Sequence, residues 1–182
     1  MSIEHRMDLF RHSSSSAEMV RAIEVLVRRS SADELRLSFR LEGDISRILI
    51  RPPRDGTELW RHTCFEAFVA REGQQAYHEF NFAPSGEWTV YAFRSYRSGS
   101  IVTNETMRPD IVIRSTDSRL EVDTVVHLDA LSAVHPRAAL RLGLSAIIES
   151  SEGLSYWALR HPAAKPDFHN AEGFALRLGP HA

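Results

Sequence analysis

Cysteine is nearly missing from this chain, with Cys64 the only one. No intrachain disulfide can form, which excludes a small secreted scaffold held by disulfides and fits a reducing compartment. Lysine is as scarce: Lys165 stands alone among 22 basic residues. The arginines are scattered and matched by 24 acids, for a net charge of −2, whereas a nucleic-acid surface needs a clustered basic excess. Long apolar runs are missing too. The stretch from Met1 to Met19 has no apolar core of the signal-peptide kind, and nothing elsewhere approaches a membrane span. These absences predict a cytoplasmic protein with no nucleic-acid or membrane partner.

Catalytic signatures are equally hard to find. There is no Gly-x-Ser-x-Gly elbow, no phosphate-binding glycine loop ending in Lys-Ser or Lys-Thr, and no dinucleotide fingerprint. His78-Glu79 does not open a His-Glu-x-x-His motif, because Phe82 holds the fifth position. His161, Asp167 and His169 are ligand types, but their spacing matches no zinc signature. No cofactor is predicted on this basis.

What the chain does have is alternation. Leu35, Leu37, Phe39 and Leu41 alternate with Arg36, Ser38 and Arg40, the pattern of a half-buried antiparallel strand. Similar runs are read near 23–27, 48–50, 64–70, 76–82, 87–96, 111–113, 120–126, 140–148, 156–160 and 174–178, separated by turn signals such as Glu72-Gly73 and Pro84-Ser85-Gly86. Pro52-Pro53 and Asp55-Gly56 mark a loop. The one helical candidate runs from a cap at Asp129 to about Val134, limited by Pro136. Roughly eleven short strands with almost no helix predict an all-β sandwich or barrel. At 182 residues the chain suits a single domain over 1–182, with residues 1–17 read as a poorly structured lead-in.

Residues 59–97 carry most of the functional information. Two of the three tryptophans and two aromatic-rich strands fall within them. Side chains alternate across a strand, so Tyr77, Glu79 and Asn81 share one face while His78, Phe80 and Phe82 share the other. Trp60, His62, Glu66, Tyr77, Glu79 and Asn81 then combine aromatic surface with fixed polar groups, as sugar binding requires. The plainer alternative has Trp60 closing the end of the sandwich and the acids paired with arginines such as Arg94. A second group lies in the loop from Trp157 to His169, where Arg160, His161, Lys165, Asp167 and His169 surround two prolines that stiffen it. Its plainer alternative is a surface loop covering the core. Cys64 lies on the Glu66 face, where a carboxylate disfavours the thiolate, and is read as inert.

The ordered set Trp60, Phe65-Glu66-Ala67-Phe68, Tyr77-His78-Glu79-Phe80-Asn81 and Pro84-Ser85-Gly86 resembles the stand-alone bacterial DOMON-like proteins related to carbohydrate-binding module family nine. The ending, from Tyr156-Trp157 through Asp167-Phe168-His169 to Gly173–Leu178, is similar to theirs. The resemblance covers the chain from about residue 18. It implies a jelly-roll-like β-sandwich of two antiparallel sheets, with at most one or two short helices and a ligand site on or beside one sheet. It also implies two tryptophans clamping a sugar ring, at Trp60 and Trp157, and an acid on its hydroxyls at Glu66. Other members of the wider group bind haem through Met or His, so haem, with Met107 available in type, is a secondary ligand reading, beside a metal ion on the ligand types His161, Asp167 and His169.

The leading expectation is non-catalytic binding of a small carbohydrate or sugar-like ligand, with Trp60 and Trp157 as platforms and Glu66, Glu79, Asn81 and Arg94 as polar contacts. One alternative is a hydrolase or isomerase acting on a sugar derivative through Glu66, Glu79 or His161. A raised carboxyl pKa beside a second carboxylate would mark it. The other alternative is a sheet face given over to a protein partner.

Overall fold

Strand periodicity becomes two antiparallel sheets in the computed structural model, which describes residues 4–51 and 58–181. The predicted loop at Pro52–Gly56 lies outside the described residues. Twelve strands follow in order: β1 Glu4–Arg11, β2 Val20–Arg29, β3 Glu34–Gly43, β4 Cys64–Arg71, β5 Tyr77–Phe82, β6 Trp88–Ser95, β7 Ser98–Val102, β8 Asp110–Ser115, β9 Arg119–His127, β10 Leu140–Ser150, β11 Gly153–Ala158 and β12 Leu176–Leu178. The first sheet has the order β1-β2-β3-β9-β8. The second runs β7-β6-β5-β4-β10-β11, and β12 pairs with the start of β10.

β1 joins the two sheets. Its residues Glu4 to Leu9 pair with β2, while Phe10 and Arg11 pair with β11. Over Glu4–Arg11 this corrects the expectation of an unstructured lead-in across residues 1–17. Leu9 is buried and Met7 packs against the core while Glu4, Arg6 and Asp8 face away, a pattern too short to stand out from a charged background. Ile48 and Ile50 also differ from expectation. Ile45–Arg47 forms a 3₁₀ turn, and Ile48 makes one isolated bridge to Ser150. The single α-helix among the described residues is one turn, α1 Leu128–Leu131.

The sheets are held together by the inward-facing residues of both. Leu35, Leu37, Phe39 and Leu41 of β3 and Leu120, Val122 and Val126 of β9 meet Phe65, Ala67 and Val69 of β4 and Leu142, Leu144 and Ala146 of β10 in one cluster. Phe39 spans the gap, its ring centroid 5.2 Å from that of Phe65 and 6.4 Å from that of Phe82, within the usual range of favourable aromatic pairs. The solvent side of the first sheet carries ion pairs linking Arg6, Glu24, Arg40, Glu121, Arg114 and Asp123. Such exposed pairs add little individually.

The second sheet is covered on its outer side as well, which is why β4 is buried almost from end to end. The segment after β11 returns across it and lays Phe174 against Phe68, with ring centroids 5.5 Å apart. Gly143 makes this possible, since a Cβ there would sit 2.7 Å from the Phe174 ring. Between this returning segment and the sheet lies the site.

Candidate functional site

Alternation along five strands of the second sheet sends one set of side chains outward: Glu66 and Phe68 from β4, Glu79 from β5, Tyr91 and Phe93 from β6, Ile147 from β10, and Leu154 and Tyr156 from β11. With Trp60 and Arg61 from the turn before β4, Arg97 from the β6–β7 hairpin, and Pro166, Phe168 and His169 from the returning segment, they line a cavity of about 610 Å³. That is the size of a small-molecule site. The walls are mainly aromatic, and the polar groups converge on the floor.

Glu66 and Glu79 are both buried, at 2% and 4% exposure. The register pairs Glu66 with Asn81 and Phe68 with Glu79, so the two acids are diagonal neighbours on adjacent strands. Their hydrogen bonds differ. Glu79 accepts from the Asn81 amide at 2.8 Å, and His169 Nε2 lies 3.5 Å from its other oxygen. Among the described residues Glu66 accepts from the Ser145 hydroxyl alone, at 2.9 Å. Burial, then the charge of Glu79, holds the Glu66 carboxyl well above the ordinary range. Burial also raises Glu79, against the opposing pull of Asn81 and Arg97. Of the two, Glu66 is therefore the one that holds its proton more tightly.

His169 is fixed between the Phe68 and Phe93 rings, 5.3 Å and 5.0 Å away. The Tyr77 hydroxyl accepts from the backbone N–H of Arg97 at 3.2 Å and lies 2.8 Å from His169 Nδ1. Because Nε2 faces a Glu79 oxygen, the tautomer that fits carries its N–H at Nε2 and accepts from the Tyr77 hydroxyl at Nδ1. Burial, reinforced by Arg97, lowers the imidazole pKa to about 4, so the ring is neutral at pH 7. Arg97 takes a left-handed backbone at φ 52°, uncommon outside glycine. Its guanidinium pairs with Asp167 at 3.0 Å, and Tyr96 donates to the same carboxylate at 2.8 Å. The hairpin is thereby tied to the returning segment.

Of the thirteen residues expected to form the site, Trp60, Glu66, Glu79 and His169 line the cavity. Asn81 is fully buried beneath it as a partner of Glu79. Tyr77 and Asp167 face a neighbouring hollow of about 730 Å³, which His169 also borders. His62 pairs with Glu149 instead, and His161 Nε2 lies 2.7 Å from the carbonyl of Phe10. Arg160 and Lys165 are exposed and absent from the cavity lining, and Arg94 points away from it, because Phe93 takes the inward position. Trp157 is the main correction. It lies in the core between the sheets, with its indole N–H donated to Ser155 at 3.0 Å, and Tyr156 occupies the cavity wall in its place.

Tyr91, Phe93, Arg97, Tyr156 and Phe168 escaped the sequence reading. The interleaving of aromatics on both faces of β6 was the available signal. Cys64 is buried, and desolvation, ahead of the neighbouring carboxyls, pushes its thiol well up, in keeping with inertness. Among the described residues no three His, Cys, Asp or Glu side chains come together so as to hold a metal ion. Met107 packs against the main core.

The raised Glu66 carboxyl has a measurable consequence. Above about 4.5 the unfolded chain releases this proton while the folded protein keeps it, so folding loses stability as pH rises through that window. Glu66→Gln removes the titration. Its stability relative to the parent should therefore improve from pH 4.5 to pH 8 in urea denaturation, and parallel curves would refute the assignment.

Fold and cavity together define an all-β sandwich with an aromatic-lined cavity on the outer face of one sheet. No family model and no curated protein matches the sequence. Solved structures do share its fold. A proposed carbohydrate-binding protein from Bacteroides uniformis superposes with a TM-score of 0.69 at 12% identity, over 94% of this chain and 83% of that one. A family 9 carbohydrate-binding module from Caldicellulosiruptor kristjanssonii, solved with glucose, gives 0.50 at 7% identity over 80% and 69%. The same organism's module with cellotriose gives 0.50 at 7% identity over 84% and 72%.

Proposed function

We propose that this protein binds a small carbohydrate or sugar-like molecule in the cavity of the second sheet. The observation that carries the reading is the combination of aromatic walls with two buried carboxyls and a neutral imidazole on the floor. A pyranose presents apolar C–H faces to the former and a rim of hydroxyls to the latter. The structures of similar fold that hold glucose and cellotriose support it. Within this reading Tyr156 and Phe168 form one wall, Trp60 the rim, and Glu66, Glu79 and His169 the hydroxyl contacts. The DOMON-like affinity and a cytoplasmic setting belong to the same proposal, the latter supported by a lone buried thiol.

One observation favours a second reading, chemistry on the bound sugar. The two carboxyls sit side by side on adjacent strands and Glu66 is raised further than Glu79, which is how catalytic acids are tuned.

A thermal-shift screen against monosaccharides, disaccharides and amino sugars tests the binding reading. A ligand at about 100 times its Kd stabilises by roughly 2.7 kcal/mol, a melting rise of about 5–10 °C at this size. Trp60 is 41% exposed, so Trp60→Ala should keep the parental melting temperature and weaken binding by about tenfold or more. A flat response to every sugar would overturn the proposal.

A further inference from the structure

We propose that the Glu66–Glu79 pair opens and recloses the ring of a bound reducing sugar, interconverting its α and β anomers. The inference rests on the binding reading above and names what the same site does to its ligand.

The argument is geometric. Glu66 and Glu79 are the only carboxyls in the cavity wall among the described residues, and both rise from one sheet face as diagonal neighbours. A glycosidase places its two carboxyls so that they flank the scissile bond. Here the returning segment that faces the sheet lines the cavity with Pro166, Phe168 and His169, and with no acid. Two groups on one side of a ring instead reach two neighbouring oxygens on one edge. In a hemiacetal those are the anomeric hydroxyl O1 and the ring oxygen O5, both bonded to C1.

The partners of each acid allot the roles. Glu79 takes the Asn81 N–H and faces the His169 Nε2–H, contacts suited to a carboxylate. Glu66 has one donor, Ser145, on one oxygen, leaving its other oxygen to carry a proton into the cavity. Glu79 removes the O1 proton as the C1–O1 bond becomes the aldehyde carbonyl. The C1–O5 bond breaks, its electron pair goes to O5, and O5 takes the Glu66 proton. Rotation about C1–C2 presents the other carbonyl face. O5 then attacks C1 and returns its proton to Glu66, while Glu79 gives its proton back to O1. Atoms and charges balance, and the cycle needs neither water nor a cofactor. His169 is a positioning residue that orients Glu79.

The test dissolves pure α-D-glucopyranose, and the pure anomers of galactose, xylose and mannose, into protein solution and follows the approach to anomeric equilibrium by polarimetry. Thermal shift on the same sugars reports binding independently. The expected result is acceleration over buffer for a sugar that stabilises the protein. Glu66→Gln and Glu79→Gln should each lose about 100-fold or more while remaining folded by circular dichroism. Arg94→Ala, outside the cavity, should keep the parental rate. A sugar that raises the melting temperature yet equilibrates at the buffer rate overturns the catalytic proposal and leaves binding standing. So does parental acceleration by both Gln variants. No thermal shift and no acceleration with any sugar overturns binding and catalysis together.

Discussion

Replacing Trp157 by Ala should cost about 3–5 kcal/mol of folding stability, the usual penalty for removing a large aromatic from a core. Trp157 is 7% exposed and packs in the main inter-sheet cluster beside Ala146, its pairing partner on β10. The truncation leaves a cavity whose walls are strands hydrogen-bonded on both sides, which relax poorly. It also leaves the Ser155 hydroxyl without its indole donor. Tyr156, the adjacent residue, should behave in the opposite way. Tyr156→Ala removes a cavity wall without opening the core, so it should unfold within about 1 kcal/mol of the parent and lose sugar binding. Urea denaturation and a sugar titration on both variants make the comparison. If Trp157→Ala kept full stability while losing ligand, the indole would be a platform and Tyr156 would belong to the scaffold.

That neighbouring pair shows how much was readable from residues alone. The β3 strand was legible because Leu35, Leu37, Phe39 and Leu41 alternate with residues that cannot be buried unpaired. On β11 both faces are covered, one by the other sheet and one by the returning segment, so Tyr156 and Trp157 are each apolar enough for either side. Which one meets the core is decided by register with β10, a contact between residues far apart in sequence. The acids were legible for a related reason. Glu66 and Glu79 stand among Phe65, Phe68, Phe80 and Phe82, where a carboxyl is out of place unless something uses it. Arg97 was hidden because its role depends on a hairpin turn and a left-handed backbone that local sequence does not announce. Arg94, the expected cation, differs from it by three positions and by the side of the sheet it occupies. His161 failed for a simpler reason, since the carbonyl of Phe10 captures its ring nitrogen before the cavity begins.

The returning segment that roofs the cavity has to be held at its far end, and a single buried cation does this. Arg29, at the end of β2, is 7% exposed. One guanidinium nitrogen donates to the carbonyls of Ala138 and Gly179, each at 2.9 Å, and the other to those of His135 at 3.1 Å and Pro136 at 2.6 Å. Four carbonyl dipoles replace the water that the charge gives up, and the fork joins β2, the turn before β10 and the end of the chain after β12. Arg29→Met keeps the aliphatic length and removes every donor. The carbonyls left behind are partly or wholly cut off from solvent, and such orphans cost about 1–3 kcal/mol each when buried. Solvent will reach the two partly buried carbonyls, so the net loss should be about 2–5 kcal/mol, set mainly by the two that are fully buried, those of His135 and Pro136. Arg29→Lys should recover little of this, because one ammonium cannot serve two pairs of acceptors from two forked nitrogens. With a urea dependence of about 1–3 kcal/mol per molar, both variants should unfold at markedly lower denaturant than the parent. Amide exchange should accelerate most in β12, whose Leu176–Leu178 pairing to β10 lies beside the clamp. A loss below about 1 kcal/mol, with β12 protection unchanged, would mean that water substitutes for the guanidinium and that β12 and the roof are anchored by the β10 pairing, the Phe174 ring contacts and the Arg97–Asp167 pair.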